Sequence, residues 1–360
     1  MLPLPLSYAP MEAKLVNALP TGDAWQYEPK WDGFRCLIFR DGDEIALQSK
    51  AGQPLQRYFP EVVEHVRALP AGRFVADGEL IVAVGDHLSF DDLLQRIHPA
   101  ASRIARLAAE RPAMVILFDL LVDADGRVWA EAPLVERRAA LEKFASKHLG
   151  RSKEILLSPT TREREQAERW LLGSGDAVDG VVAKRLDSPY QSGERAMQKV
   201  KRMQTADCVV GGFRYASNGP VIGSLLLGLY GEDGLLHHVG FSAGFTASER
   251  KELVPLLEPL IEPPGFTGRA PGGPSRWSNK RSDEWQPLAL KLVVEVAYDH
   301  FSGGRFRHGT RFLRWRPDKA PQQCLMEQVE QEGGIAPLKL LAPAQPAKAK
   351  SARTKRRVAR

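Results

Sequence analysis

Glu28-Pro29-Lys30-Trp31-Asp32-Gly33-Phe34-Arg35 places a lysine two residues ahead of an Asp-Gly turn, just before the apolar run FRCLIFR. A K-x-D-G tetrad alone says little, since average residue usage produces one by chance in about one chain in ten of this length. Its weight comes from the segments that follow in order: Asp77-Gly78-Glu79, Phe118-Asp119-Leu120-Leu121, Asp179-Gly180-Val181-Val182-Ala183-Lys184 and Lys199-Val200-Lys201. Each lies in or beside an apolar run that reads as a core strand, where a charged side chain is costly unless paired or used. Side chains alternate along a strand, so Lys199 and Lys201 share a face. Beside a strand that ends in Lys184, they outline an anion pocket; a solvated edge strand is the alternative reading.

Outward from these motifs, FRCLIFR and EIALQS flank Asp41-Gly42-Asp43 as a hairpin. Pro60 to Leu69 has helical spacing with proline in the first turn, as do the stretches LVERRAALEKFAS and REQAERWLLG. FVADGELIV, AMVILFDLLV and DGVVAK read as strands. From Ala206 to about Arg316 the character changes to short strands (DCVVGGFRY, SLLLGLY, LLHHVGFS, LVVEVAY, RFLRW), with one helix near Ala247–Leu260 and a long loop at Glu262–Pro274. That is the pattern of a small β-barrel with one helix. The fold class expected is α+β: antiparallel sheets with flanking helices over residues 1–203, a barrel over 204–343, and a disordered basic tail over 344–360.

The chain has 360 residues, 43% hydrophobic, enough for two ordinary cores. Its net charge of +6 is unevenly spread, because residues 344–360 hold seven Lys or Arg and no acid. Subtracting seven from six leaves about −1 for residues 1–343, so a nucleic-acid footprint on the folded part must be local. Such a patch stands between Arg305 and Lys319, with six Lys or Arg against one acid. His300 and His308, beside it, read as a solvated or phosphate-facing loop. Three distant cysteines and no CxxC pair exclude a four-thiolate zinc site within the chain and suit a reducing cytosol. No apolar run approaches a membrane span, and the proline-broken start reads as no signal peptide.

The ordered motifs resemble those of the covalent nucleotidyltransferases, a superfamily of DNA ligases, RNA ligases and capping enzymes. The likeness is greatest to the compact bacterial ATP-dependent DNA ligases, stand-alone or fused into end-joining enzymes. Arg57-Tyr58-Phe59-Pro60-Glu61, Thr205-Ala206-Asp207-Cys208 and the terminal run Arg311 to Lys319 carry the same resemblance. It implies an adenylation domain followed by an OB-fold barrel, with ATP as AMP donor, Mg2+ or Mn2+ as metal, and nicked duplex DNA as substrate. Lys30 would be the nucleophile. Glu28, Arg35, Glu79 and Phe118 would hold adenosine, Lys199 and Lys201 the α-phosphate, Arg316 and Lys319 (with Asp318) the leaving pyrophosphate. Asp179 and Asp32 would serve the metal, and Lys50 the 5′-phosphate of the nick. For Lys30 to attack, the site is expected to disfavour its ammonium form through Lys199, Lys201 and the metal.

Three positions depart from the family pattern. Ser49-Lys50-Ala51-Gly52 has lysine where arginine is usual, which loses the bidentate fork. Asp179 stands for glutamate and Met197 for tryptophan. Only 29 residues precede Lys30, which disfavours an NAD-dependent ligase. An RNA ligase, a capping-type enzyme and a non-catalytic nucleic-acid-binding module are the alternatives. A monomer in the bacterial cytosol, near the nucleoid and served by repair or end-joining proteins, is the expected setting.

Overall fold

The computed structural model describes residues 1–85, 87–150, 152–173, 178–217, 219–272, 284–330 and 340–341. The basic tail, residues 344–360, lies outside the described residues, as do 273 and 274 of the expected long loop. The elements of the first part are β1 (Ala13–Leu15), β2 (Trp25–Trp31), β3 (Phe34–Asp41), β4 (Glu44–Ser49), α1 (Pro60–Ala68), β5 (Arg73–Val84) and β6 (His87–Leu88). There follow α2 (Phe90–Arg96), α3 (Ala101–Glu110), β7 (Ala113–Val122), α4 (Leu134–Phe144), β8 (Ile155–Leu157), α5 (Arg164–Gly173), β9 (Val178–Arg185) and β10 (Met197–Lys201).

These strands form two sheets. One has the order β4-β3-β5-β7-β8, the other β1-β10-β9-β2. Pairing is antiparallel except for β7 with β8 and β1 with β10. The expected hairpin is present, with Asp41 opposite Glu44 and Gly42 at φ 66°. Helices α2 and α3 go beyond the sequence reading.

Period-two alternation sorts the side chains of both sheets. On the first, Cys36, Ile38, Phe74, Ala76, Leu80, Val115 and Leu117 pack outward against α1 and α4 in one core. Leu37, Phe39, Val75 and Leu121 point the other way, where they meet Met197 and Val182 of the second sheet. The outer face of the second sheet (Tyr27, Val181, Ala183, Val200) is covered by Ala167 and Trp170 of α5. The same alternation sends Arg35, Asp77, Glu79 and Phe118 from one sheet, and Glu28, Lys30, Lys184 and Lys199 from the other, into the space between them.

The second part follows β10 after a link of two residues. It comprises β11 (Gln204–Ala216), β12 (Gly219–Tyr230), β13 (Leu236–Ser242), α6 (Ala247–Leu257), β14 (Gln286–Pro287), β15 (Val293–Tyr298), β16 (Phe301–Ser302), β17 (Arg305–Phe306) and β18 (Arg311–Trp315). Its main sheet runs β13-β12-β11-β15-β18, and a parallel bridge from Ser242 to Thr310 joins the two outer strands. The result is a five-stranded barrel with one helix, its interior filled by Val209, Phe213, Leu225, Leu227, Val294 and Val296. Helix α6 is started by a reciprocal capping box between Thr246 and Glu249.

Gly180 is required where the second sheet is tightest. Its φ is +147°, and a Cβ there would lie 2.0 Å from the carbonyl oxygen of Val200 on the neighbouring strand. Gly180→Ala is therefore expected to destabilise the chain by about 1–3 kcal/mol through overpacking, with backbone strain added. A urea unfolding midpoint equal to that of the parent chain would contradict this account of the β9–β10 contact.

Candidate active site

The space between the sheets opens as a pocket lined by Glu12, Glu28, Lys30, Arg35, Lys50, Glu79, Phe118, Lys184 and Lys199, with Met11 and Met197 among its apolar walls. Eight residues singled out by sequence thus share one wall system: seven here, and Asp179 through its contact with Lys30.

Lys30 sits on β2, which is broken in register between Pro29 and Trp31 where it pairs with β9. Its Nζ donates to Asp179 Oδ2 at 2.6 Å. Lys201 stands 3.4 Å from the same oxygen. Burial alone would lower the pKa of Lys30, but Asp179, with Glu79 and Asp32 behind it, outweighs burial and raises it. The side chains on their own thus favour the ammonium, which leaves the metal as the part of the expected repulsion that Lys199 and Lys201 do not supply. The depressed lysine is Lys199, through burial and the repulsion of Lys30, Lys201 and Lys50. For Asp179, burial works upward, yet Lys30 and Lys201 hold it below the ordinary carboxylate range.

The deeper wall is a chain of paired charges. Glu28, 2% exposed, accepts from Gln26 Nε2 at 2.9 Å and pairs with Lys184 Nζ at 2.8 Å. Arg35 forks onto Asp77, Nε to Oδ1 and Nη2 to Oδ2, both at 2.5 Å, and its Nη2 also donates to the carbonyl of Met11 at 3.1 Å. The Arg35 guanidinium lies 4.6 Å, and the Lys184 ammonium 4.7 Å, from the centre of the Phe118 ring. Asp77 has no role in the sequence reading and Lys184 enters it only as the end of the strand beside Lys199 and Lys201; the structure makes them the partners of Arg35 and Glu28. At the rim, the turn Ser49–Gly52 (Gly52 N–H to Ser49 O, 2.9 Å) presents Lys50, whose Nζ pairs with Glu12 at 2.9 Å.

The barrel contributes two contacts that the sequence did not announce. Arg307 Nη1 reaches both oxygens of Asp32, at 2.7 and 2.6 Å, with its guanidinium 4.1 Å from the centre of the Phe90 ring. Asp299 accepts from Lys201 at 2.6 Å and from His308, and these hydrogen bonds outweigh burial to hold it at about 2. Arg316 and Lys319, by contrast, are not brought to Lys30. Arg316 pairs with Asp207 (2.9 Å) and Asp318, and Lys319 with Asp207 (2.7 Å), all within the second part. The two histidine-bearing turns are thus part of the contact between the two parts of the chain.

Among the described residues no group of three His, Cys, Asp or Glu side chains is assembled for a metal ion. Magnesium does not demand one, because it commonly binds one or two carboxylates together with substrate phosphates. Asp179, ionised and at the pocket, fits that role; both oxygens of Asp32 are engaged by Arg307.

Residues 10–201 match the family described as ATP dependent DNA ligase domain, and residues 218–319 that described as ATP dependent DNA ligase C terminal region. The chain is 44% identical over 340 residues to DNA ligase C1 of Mycolicibacterium smegmatis, covering 91% of this chain and 95% of the relative. It is 43% identical over 344 residues to DNA ligase C of Mycobacterium tuberculosis, at the same coverage of each. A solved structure of a Lig E DNA ligase shares the fold at 17% identity and a TM-score of 0.50, over 86% of this chain and 99% of the other. The chain belongs to the ATP-dependent DNA ligases. ATP is its AMP donor and nicked DNA its substrate. Among the described residues no helix is long and apolar enough to cross a membrane.

Glu79 supplies a pH signature. Burial, with Asp77 and Asp32 nearby and against the pull of Arg35 and Lys30, pushes its carboxyl up to about 7. The folded state therefore keeps a proton that the unfolded chain loses near pH ~4.3. This contribution to stability is full below that value and is lost as pH rises towards 7. Glu79→Gln should remove that slope: the stability difference between parent and variant, measured by denaturant unfolding, shifts in favour of the variant from pH 4.5 to 7 and is flat above. A difference that does not vary with pH would show that Glu79 is ionised throughout.

Proposed function

We propose that this ligase seals 5′-phosphate/3′-hydroxyl nicks through an AMP adduct on Lys30. The observation that carries the reading is the Lys30–Asp179 contact of 2.6 Å beside a pocket that Lys30 lines together with Phe118 and Glu28. Lys30 begins as an ammonium. When ATP enters, an Nζ proton passes to solvent water, Asp179 stays ionised, and the neutral amine attacks the α-phosphorus of ATP. A nitrogen–phosphorus bond forms and pyrophosphate leaves. Lys199, which lines the pocket and is repelled by Lys30, Lys201 and Lys50, faces the developing negative charge on the phosphoryl oxygens. Phe118 stacks on adenine, Glu28 reads its edge from a position fixed by Lys184 and Gln26, and Arg35 with Glu79 flanks the ribose. Asp179 would hold Mg2+ or Mn2+ with the phosphates, and the ion would supply charge neutralisation there.

In the second step an oxygen of the nick's 5′-phosphate attacks the adduct and Lys30 departs as an amine. In the third, the 3′-hydroxyl displaces AMP. Arg316 and Lys319 act on pyrophosphate only in a different placement of the barrel, one in which they exchange Asp207 and Asp318 for phosphate. Bacterial repair or end joining, in the cytosol near the nucleoid, by a monomer served by repair proteins, is the proposed setting. An RNA ligase or capping-type activity is the reading a substrate panel would test.

Lys30→Ala should form no adduct from ATP yet still join a nick that already carries 5′-adenylate, while Asp179→Ala should lose most of both reactions. An adduct still formed by Lys30→Ala would move the nucleophile to another lysine. Phe118→Leu should weaken ATP binding by about 1–3 kcal/mol, as expected for a lost stacking partner. Unchanged ATP dependence with a lowered melting temperature would make Phe118 a packing residue alone.

A further inference from the structure

Asp77 is fully buried behind Arg35, and a closed cycle of hydrogen bonds runs through it. Arg35 Nη2 donates to Asp77 Oδ2 and to the carbonyl of Met11. The Tyr190 hydroxyl donates to the same Asp77 oxygen, and Met11 N–H donates to the Tyr190 hydroxyl at 2.9 Å. Tyr190 therefore ties the carboxylate that Arg35 forks onto to the backbone that Arg35 also touches. Burial, with the charge of Asp77 added, pushes the phenol well above its usual range, so it keeps its proton and stays a donor. Segments outside the cycle set its place. Tyr190 N–H donates to Ala130 O at 2.7 Å, its ring stacks on that of Tyr8 with centroids 6.1 Å apart, and the Arg137 guanidinium lies 5.7 Å from its centre. Met11 and Arg35 line the pocket beside Phe118, whereas Asp77 and Tyr190 stand behind them.

We infer that Tyr190 is a positioning residue for nucleotide recognition: through Asp77 and the Met11 backbone, its hydroxyl fixes the angle from which the Arg35 guanidinium meets the ribose. This rests on the reading of Arg35 and Glu79 as the ribose wall. A planar guanidinium bonded through two nitrogens to one carboxylate is held only as firmly as that carboxylate. The last torsion of an aspartate is broad, so Asp77 needs a further donor to stop it turning. Tyr190 supplies that donor from the chain between β9 and β10. Without the hydroxyl, Arg35 and Asp77 stay paired but shift together, and the buried Met11 N–H loses its acceptor.

The test uses the full chain and measures adduct formation from ATP and from 2′,3′-dideoxyATP, which lacks both ribose hydroxyls. The preference for ATP, as a ratio of kcat/KM values, is the readout, because a loss of folded protein lowers both nucleotides alike. Tyr190→Phe keeps the aromatic ring and removes the hydroxyl alone. It should reduce the preference about tenfold, the equivalent of one contact to a charged group, with KM for ATP raised and the rate at saturating ATP unchanged. Tyr8→Phe, which removes a neighbouring hydroxyl outside the cycle, should leave the preference unchanged. Arg35→Lys keeps the positive charge beside Asp77 and loses the fork. If it collapses the preference while Tyr190→Phe leaves the ratio at the parent value, or lowers both nucleotides equally, the inference is overturned and the reading of Arg35 stands. If Arg35→Lys leaves the preference intact, or the parent chain shows none, the ribose reading fails and the inference fails with it.

Discussion

Two sheets pressed face to face must put something between them, and strand alternation decides what. Here the interval holds apolar side chains at one end and charged ones at the other. Charges in such a space are tolerable only when their partners are close and well aligned. The Arg35–Asp77 fork, the Glu28–Lys184 pair and the buried Arg137–Asp119 pair behind them, at 2.9 Å, meet that condition. Breaking one partner would strand the other in a poorly solvated wall. The polar lining of the pocket is therefore also its internal bracing.

Such a wall prepares a pocket without preparing Lys30, the proposed nucleophile, for attack. Lys30 is paired with Asp179 and kept charged, while Lys199 is the lysine pushed towards neutrality. The carboxylate that holds Lys30 in position is thus also what favours its ammonium form. An amine ready to attack before its substrate arrives would be open to side reactions; one released by a change of partner at Asp179 is not.

Much of this was legible in the sequence because the strands are regular. Glu28 and Lys30, Glu79, Phe118 and Lys199 each sit at a spacing that fixes which way they point once the strand is recognised, and the order of their motifs supplies the rest. What was illegible depends on partners remote in sequence. The Arg307–Asp32 contact joins positions 275 residues apart, and Lys201–Asp299 positions 98 apart. Nothing local distinguishes Arg307 from the other basic residues of its loop. Helices α2 and α3 escaped for a different reason. Helix α2 has seven residues and is anchored by Arg96, a fully buried arginine held by Glu61 and the carbonyl of Tyr58, and α3 buries Ile104 alone, so neither has the pattern of an apolar stripe. The direction of the Lys30 shift was unreadable because it turns on distances of a few ångströms among four charges.

Only Arg202 and Met203 separate the end of β10 from the start of β11. The strand that carries Lys199 and Lys201 is therefore the same piece of chain from which the barrel hangs. With its outer strands bridged at Ser242 and Thr310, the barrel has little freedom to absorb a torque internally. A turn of the barrel is delivered as a pull on β10, through a lever arm two residues long. The barrel and the lysines of β10 are in mechanical series, so the position of one part of the chain can be felt, without any intermediary, at the charge of the other.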